Sequence, residues 1–468
     1  MTTLKKVLKM RTVISTSAGM ALATSCYLAG IQVATILVGE MAWISILIAG
    51  ACCILSALCF SELTAQYPTA AGIKLFIQNA FNERTAIIIG MFYVLLGICM
   101  VGAESYLLAS VLTHTIKLID PLFDRFFWMT IFILLVGFIN YRGVYITGLV
   151  QDILTYAMIA FLLTVSVYTF NRIGIDMSSA LTSPKFTLEN IVNAAAVGVF
   201  LYVGYEWVTP LAEETTDYRM IGRGMLWAIG ILSITYSAFT VAMYTGLTKE
   251  QLASGTTIPH ILFGRNLFGT PGVIFFALMS ILASVTSFNS GLLNTSRFAY
   301  AMGRDAVLPR VFSRLHPDYA TPWVAILALV VFALIVSLFI LFTGQYLFII
   351  IMAAALECFI YVVMALCVIR LRRRFPDRQS SFKIPGGYTV PVLTILIFAG
   401  LLLGIFMDVS RDSAGRILFA NYWVALVMAG VFLLTSLYTF GIVPVLKKRA
   451  AARSQQSAKR RPGRKSEA

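Results

Sequence analysis

The sequence predicts an all-α polytopic membrane protein of twelve transmembrane helices, and three observations predict it. Apolar residues make up 59% of the 468-residue chain, only 12% are charged, and the mean hydropathy is +0.85. Soluble domains carry roughly 45–50% apolar and about 25% charged residues, so nucleic-acid binders, disordered chains and ordinary soluble enzymes are excluded. Continuous apolar stretches of about 20 residues recur along the whole length, the length a helix needs to cross hydrocarbon. They are not the alternating segments of ~10 residues that build barrels. A lone segment in lipid can satisfy its own backbone hydrogen bonds only as a helix.

The twelve spans fall at Thr12–Val38, Met41–Leu63, Ala86–Leu112, Phe126–Ile139, Tyr145–Phe170, Ile191–Leu211, Met225–Gly246, Pro271–Arg297, Trp323–Phe342, Tyr346–Ile369, Val390–Met407 and Asn421–Val445. An even count puts both termini on one side. With the amino terminus in the cytoplasm, 28 of the 36 lysines and arginines fall on the cytoplasmic side, as the positive-inside rule requires. The net charge of +15 is therefore a topology signal and needs no nucleic acid. The chain divides into a cytoplasmic amino terminus (1–11), spans one to five (12–170), an extracellular loop (171–190) and spans six to ten (191–369). Spans eleven and twelve follow with the basic loop before them (370–445), then a basic cytoplasmic tail (446–468). The tail from Lys447 reads as a disordered segment meeting anionic lipid, with a partner-binding tail as the alternative.

Cys26, Cys52, Cys53, Cys59, Cys99, Cys358 and Cys367 all lie in apolar runs and read as small buried hydrophobes. His114, His260 and His316 are far apart and expected in loops, which argues against a zinc site, so neither metal nor cofactor is expected. The first apolar stretch runs past Val38, too long for the core of a signal peptide, and is expected to stay in the mature chain. There is no Gly-x-x-x-x-Gly-Lys-Ser/Thr loop, so ATP-driven pumping by this chain is not expected.

The informative places are those where the pattern breaks. The first span holds Ser15, Thr16, Ser17 and Gly19, then Ala23-Thr24-Ser25-Cys26, then Gly30. Such a small, hydroxyl-rich run suits either close helix packing or an interrupted helix whose freed amides bind a ligand. The sixth span reads Phe200-Leu201-Tyr202-Val203-Gly204-Tyr205-Glu206-Trp207, with Pro210 close behind. Glycine interrupts a helix cheaply, and proline removes a donor and crowds the preceding turn. A charge at mid-bilayer costs from ~2.5 kcal/mol upward and marks a functional site by default. Breaks in spans one and six are the sign of two five-helix repeats in inverted topology, with substrate held between the breaks. Glu104 and Glu357 add acids to spans three and ten, and no lysine or arginine is expected deep in a span to neutralise them. A proton or an organic cation would supply the missing positive charge. Glu62, at the end of span two, reads as a structural pin.

At these residues the sequence resembles the amino acid–polyamine–organocation (APC) superfamily of secondary transporters. Leu58-Cys59-Phe60-Ser61-Glu62-Leu63 with Tyr67-Pro68-Thr69-Ala70-Ala71-Gly72 is similar to its "YAEL…P-x-x-GG" signature. Tyr202-Val203-Gly204-Tyr205-Glu206 followed by Leu211-Ala212-Glu213-Glu214 resembles "F-x-G-F-E…LAEE". Most specific is Ser296-Arg297-Phe298-Ala299-Tyr300-Ala301-Met302-Gly303-Arg304-Asp305, continuing through Leu308-Pro309-Arg310 to His316-Pro317 and Thr321-Pro322. It resembles the loop "SR-x-x-YAMARDG-x-LP…HP…TP".

The resemblance implies a LeuT-like core of 5+5 inverted repeats with discontinuous helices one and six, two peripheral helices, and alternating access rather than enzymatic chemistry. It places substrate contacts on Ala23, Thr24, Ser25 and Cys26 of the first helix and on Phe200, Tyr202 and Gly204 of the sixth. Two departures stand out. The usual first-helix Gly-x-Gly-Ile is replaced by Ala23-Thr24-Ser25-Cys26, which narrows the cradle for a carboxylate. A lysine that some members carry on helix five is matched by Met158. Thr286 and Ser287 form a possible cation site of the sodium-coupled kind, and Glu104, Glu206 and Glu357 are the candidates for proton coupling. The expected function is uptake or exchange of an amino acid or small amine across a cell (inner) membrane, linked to a proton or a counter-substrate in preference to sodium. A polyamine or organic-cation antiporter is the alternative, and a channel is the alternative from a different class.

Overall fold

The computed structural model describes residues 4–23, 38–174, 187–248, 250–251, 259–378, 380–407, 409–411, 417–420 and 422–459. The described residues are helical apart from a small hairpin. Helices run α1 Met10–Ala21, α2 Ala42–Gln66, α3 Gly72–Ala80, α4 Glu83–Thr115, α5 Pro121–Tyr141, α6 Val144–Ile173, α7 Leu188–Phe200, α8 Arg219–Gly246 and α9 Pro259–Phe268. They continue with α10 Thr270–Arg304, α11 Trp323–Thr343, α12 Tyr346–Arg374, α13 Thr389–Met407, α14 Tyr422–Leu437 and α15 Val443–Lys459.

Ten helices among the described residues are long and apolar enough to cross a membrane. They correspond to every expected span except the first and the sixth. In the first, α1 stops at Ala21 and residues 24–37 lie outside the described residues. In the sixth, α7 ends at Phe200, a turn follows, and a 3₁₀ helix runs Tyr205–Glu213 with Pro210 inside it.

Local chemistry explains the boundaries. Asp120 caps α5 by accepting from the amides of Leu122 and Phe123, with Pro121 in the first turn, where its missing N–H costs nothing. Asn82 caps α4 through the Thr85 amide. α1 packs on α6, α8, α10 and the 3₁₀ helix. At the edge, only 17% of the apolar stretch is buried in each of the last two spans, against 83% for Glu83–Thr113, so α13 and α14 are peripheral.

Four expectations are corrected. His114 lies in the last turn of α4, and His260 lies in α9, fully buried with its ring 2.7 Å from Ser280 Oγ, so neither is in a loop. The tail is helical through Lys459, because Val443–Leu446 carry the last span on into the basic run. An antiparallel hairpin, Val409–Arg411 with Ile417–Ala420, stands in the connection between spans eleven and twelve. Finally, α10 extends about two turns beyond its expected end, so Arg297 is interior and completely buried.

Candidate functional site

The site grows from the two interruptions. The last carbonyls of a helix have no partner within it, and in lipid each must find one. Side chains of three neighbouring helices supply them to α1. Ser287 Oγ of α10 donates to Met20 O at 3.1 Å, and Tyr236 Oη of α8 donates to Ala21 O at 2.7 Å. One turn earlier, Ser290 Oγ donates to Thr16 O and Thr155 Oγ1 to Ser15 O. The hydroxyl-rich eighth span is thus a set of caps for a helix that stops inside the bundle.

The second interruption touches the first. Gly204 sits at φ +107, where a side chain is strained, and a Cβ there would lie 2.2 Å from Met20 Cγ. No other residue fits that backbone at that distance. Ser17 Oγ completes the contact by donating to Tyr205 O at 2.5 Å.

Beyond Gly204 the chain delivers Tyr205, Glu206 and Trp207, all fully buried. Tyr361 Oη of α12 donates to Glu206 Oε2 at 2.8 Å. Glu357, one turn before Tyr361, is 1% exposed and lies within electrostatic reach of Glu206. Neither oxygen of Glu357 makes a directed hydrogen bond among the described residues, nor do Glu206 Oε1, Trp207 Nε1 and Tyr93 Oη. Trp207 packs on Tyr93 with ring centroids 4.9 Å apart, and Tyr205 lies 5.7 Å from Tyr361. A buried polar group left without a partner costs about 1–3 kcal/mol. This cluster therefore gains from a proton, a water or a cationic group, each of which its acids and aromatic faces can hold.

The expected site residues divide. Ala23 is buried two residues past α1, while Thr24, Ser25 and Cys26 lie outside the described residues. Phe200 ends α7 half-buried. Tyr202 places its Oη 3.0 Å from both Ile46 O and Ser233 Oγ. Glu104 is engaged separately, accepting from Ser284 Oγ at 2.7 Å. Thr286 Oγ1 donates to Ala283 O, so both hydroxyls of the possible cation site serve as internal donors. Met158 is fully buried in α6. Glu62 is the pin it was expected to be, since Arg372 grips both its oxygens and the Ile384 amide donates to it. Tyr93 and Tyr361 are not among the expected site residues, because aromatics in apolar spans carry no signal of their own. The i, i+4 spacing of Glu357 and Tyr361 was the clue available.

At the end of the bundle that holds the amino terminus, the segments "LAEE" and "SR…GRD" meet. Arg297 Nε donates to Glu214 Oε2 at 3.0 Å, both side chains buried. Arg304 takes Glu213 in a fork at 3.0 and 2.9 Å, and Lys74 pairs with Asp305 at 2.5 Å. The amides of Val7 and Leu8 donate to Glu214 O, stitching the amino terminus over this plug. Burial pushes the Glu213 carboxyl up, but hydrogen bonds from Arg304 and the Ala70 amide outweigh it and hold it below its ordinary range.

A bundle of many apolar helices in which α1 ends against a broken sixth segment is consistent with a membrane transporter. The chain belongs to the amino acid permease family, whose family model matches residues 11–441. It is 24% identical over 371 residues to the methylthioribose transporter of Bacillus subtilis, covering 75% of this chain and 78% of that protein. Identity to the branched-chain amino acid permease of the same organism is 24% over 384 residues, 77% of this chain and 80% of that protein. The cationic amino acid transporter 7, chloroplastic, of Arabidopsis thaliana is 26% identical over 322 residues, 63% of this chain; the match spans 54% of that relative's length.

Proposed function

We propose that this chain carries an amino acid or small amine across a cell (inner) membrane by alternating access, as a twelve-span protein with both termini cytoplasmic. The reading takes the ten continuous spans together with the two interrupted segments, arranged as 5+5 inverted repeats with α13 and α14 outside. The observation that carries it is the contact of Gly204 with Met20, which brings both interruptions to one point. There the freed amides after Ala21 would face the substrate's anionic end, through Ala23, Thr24, Ser25 and Cys26. Carbonyls around Phe200, Tyr202 and Gly204 would face its amine.

Glu206 and Glu357 are the proton site in this reading. With no arginine or lysine paired to them among the described residues, two adjacent acids cannot both ionise cheaply. They can therefore hold one proton in one state and release it in another. The same unbalanced acids support the alternative, exchange of an organic cation.

The test is uptake into proteoliposomes. Glu206→Gln should flatten the pH dependence of uptake or alter substrate affinity, whereas an unchanged profile and affinity would remove Glu206 from the mechanism. Ser25→Trp should abolish uptake in a folded protein, and normal uptake would refute a substrate path there. Replacing sodium by choline should leave uptake intact; a loss would move the coupling to Thr286 and Ser287.

A further inference from the structure

At the amino-terminal end of the bundle, a cavity of about 290 Å³ opens between the loop after α10 and the start of α15. Leu308, Val311 and Leu446 give it an apolar wall, and Arg310, Arg314 and Arg449 stand around it. The wall is built rather than incidental. Ala306 is held at φ +56, the amides of Val307 and Leu308 both donate to Met302 O, and Tyr438 Oη from the last span donates to Val307 O at 2.7 Å. That last bond ties the loop to the helix that supplies Leu446 and Arg449.

The charge balance at this place is one-sided. Lys447 is neutralised by Glu83 at 2.5 Å. Arg310, Arg314 and Arg449 form no ion pair among the described residues. Ile442 and Val445, just before the basic run, are 50% and 46% exposed, so the cavity sits where a lipid-facing surface gives way to arginine. Basic pockets between membrane helices are the places where anionic head groups bind. The cavity is slightly below the ~300–1,000 Å³ of ordinary ligand sites, enough for a head group but not for acyl chains.

We propose that this cavity binds the phosphate of an anionic phospholipid, its acyl chains running down the exposed face at Ile442 and Val445. Occupancy would clamp the last helix to the loop that follows Arg304, which with Asp305 plugs this end. The proposal depends neither on the identity of the substrate nor on which way the protein faces.

Native mass spectrometry of the full chain tests it. The protein is titrated with dioleoyl phosphatidylglycerol, with phosphatidylcholine of the same chains, and with inorganic phosphate. Phosphatidylglycerol should bind in preference to phosphatidylcholine. Binding should weaken about 100-fold in Arg310→Gln/Arg314→Gln/Arg449→Gln, as expected for three arginines near the membrane surface, and not in Arg172→Gln/Arg265→Gln at the other end. If the triple variant does not fold, Arg449→Gln alone should weaken binding about fivefold. Equal binding of both lipids, or unchanged binding by the variants, would overturn the proposal. Displacement of the lipid by inorganic phosphate at equal concentration would assign the site to a free anion instead.

Discussion

Glu206 and Glu214 lie eight residues apart on the same broken segment, both fully buried, and the molecule treats them in opposite ways. Glu214 faces Arg297, Nε to Oε2 at 3.0 Å, beneath the strand of chain at Val7 and Leu8. Glu206 faces a tyrosine hydroxyl and another acid. Burying an ion costs several kcal/mol, and a well-placed counter-ion offsets that cost. The paired acid has a counter-charge beside it and serves to hold parts together. The acid without a base has no such anchor, so its protonation can respond to what enters the site. In the proposed reading, holding and working are separated along one short segment by the placement of one arginine.

The largest way to break this comparison is to remove the arginine. Arg297→Ala should destabilise the protein by about 3–5 kcal/mol, since it strands Glu214 as a buried charge. Arg297→Met/Glu214→Leu should recover most of that loss. Thermal unfolding in detergent reads both, and a double variant no better than the single would refute the pairing argument. Glu206→Gln should cost less than about 1 kcal/mol, because a glutamine oxygen can still accept from Tyr361. Equal destabilisation by Glu206→Gln and Glu214→Gln would erase the contrast.

Gly204→Ala is intermediate. Its φ alone costs about 1–3 kcal/mol, and its Cβ must displace Met20. Combining it with Met20→Ala should relieve the clash and leave the backbone strain. Stability and uptake equal to the parent's in the single variant would mean that the two interruptions do not touch. The smallest effect belongs to Glu213. Its carboxyl is held below its ordinary range in the folded state, so its pairing with Arg304 is fully present above that range, about pH 4.3. The contribution fades as pH falls through the lowered folded value. Amide protection around Ala70 and Arg304, taken relative to the intrinsic exchange rate at each pH, should therefore fall at low pH in the parent, and already at neutral pH in Arg304→Gln. Exchange unaltered by pH or by the variant would leave the fork without a role.

Much of the fold was legible because apolar length and charge placement are properties of short windows. The interruption of span six was equally legible, since Gly204, Glu206 and Pro210 each disfavour a continuous apolar helix. The role of the eighth span was not. Ser287 and Ser290 look like packing hydroxyls until α1 is seen to stop beside them. From the sequence Arg297 reads as the end of a span, because nothing local says that Glu214, 83 residues earlier, will lie against it. Tyr93 and Tyr361 were invisible among other aromatics for the same reason.

What the sequence determined by itself was where the chain enters lipid and where its helices cannot run on, because transfer cost and backbone preference are paid residue by residue. Only the tertiary structure decided which buried acid has a counter-ion, which hydroxyl caps which carbonyl, and that the interrupted elements touch. Those choices depend on contacts between residues distant in the chain, and in a medium without water an unpaired polar group cannot be left to the solvent.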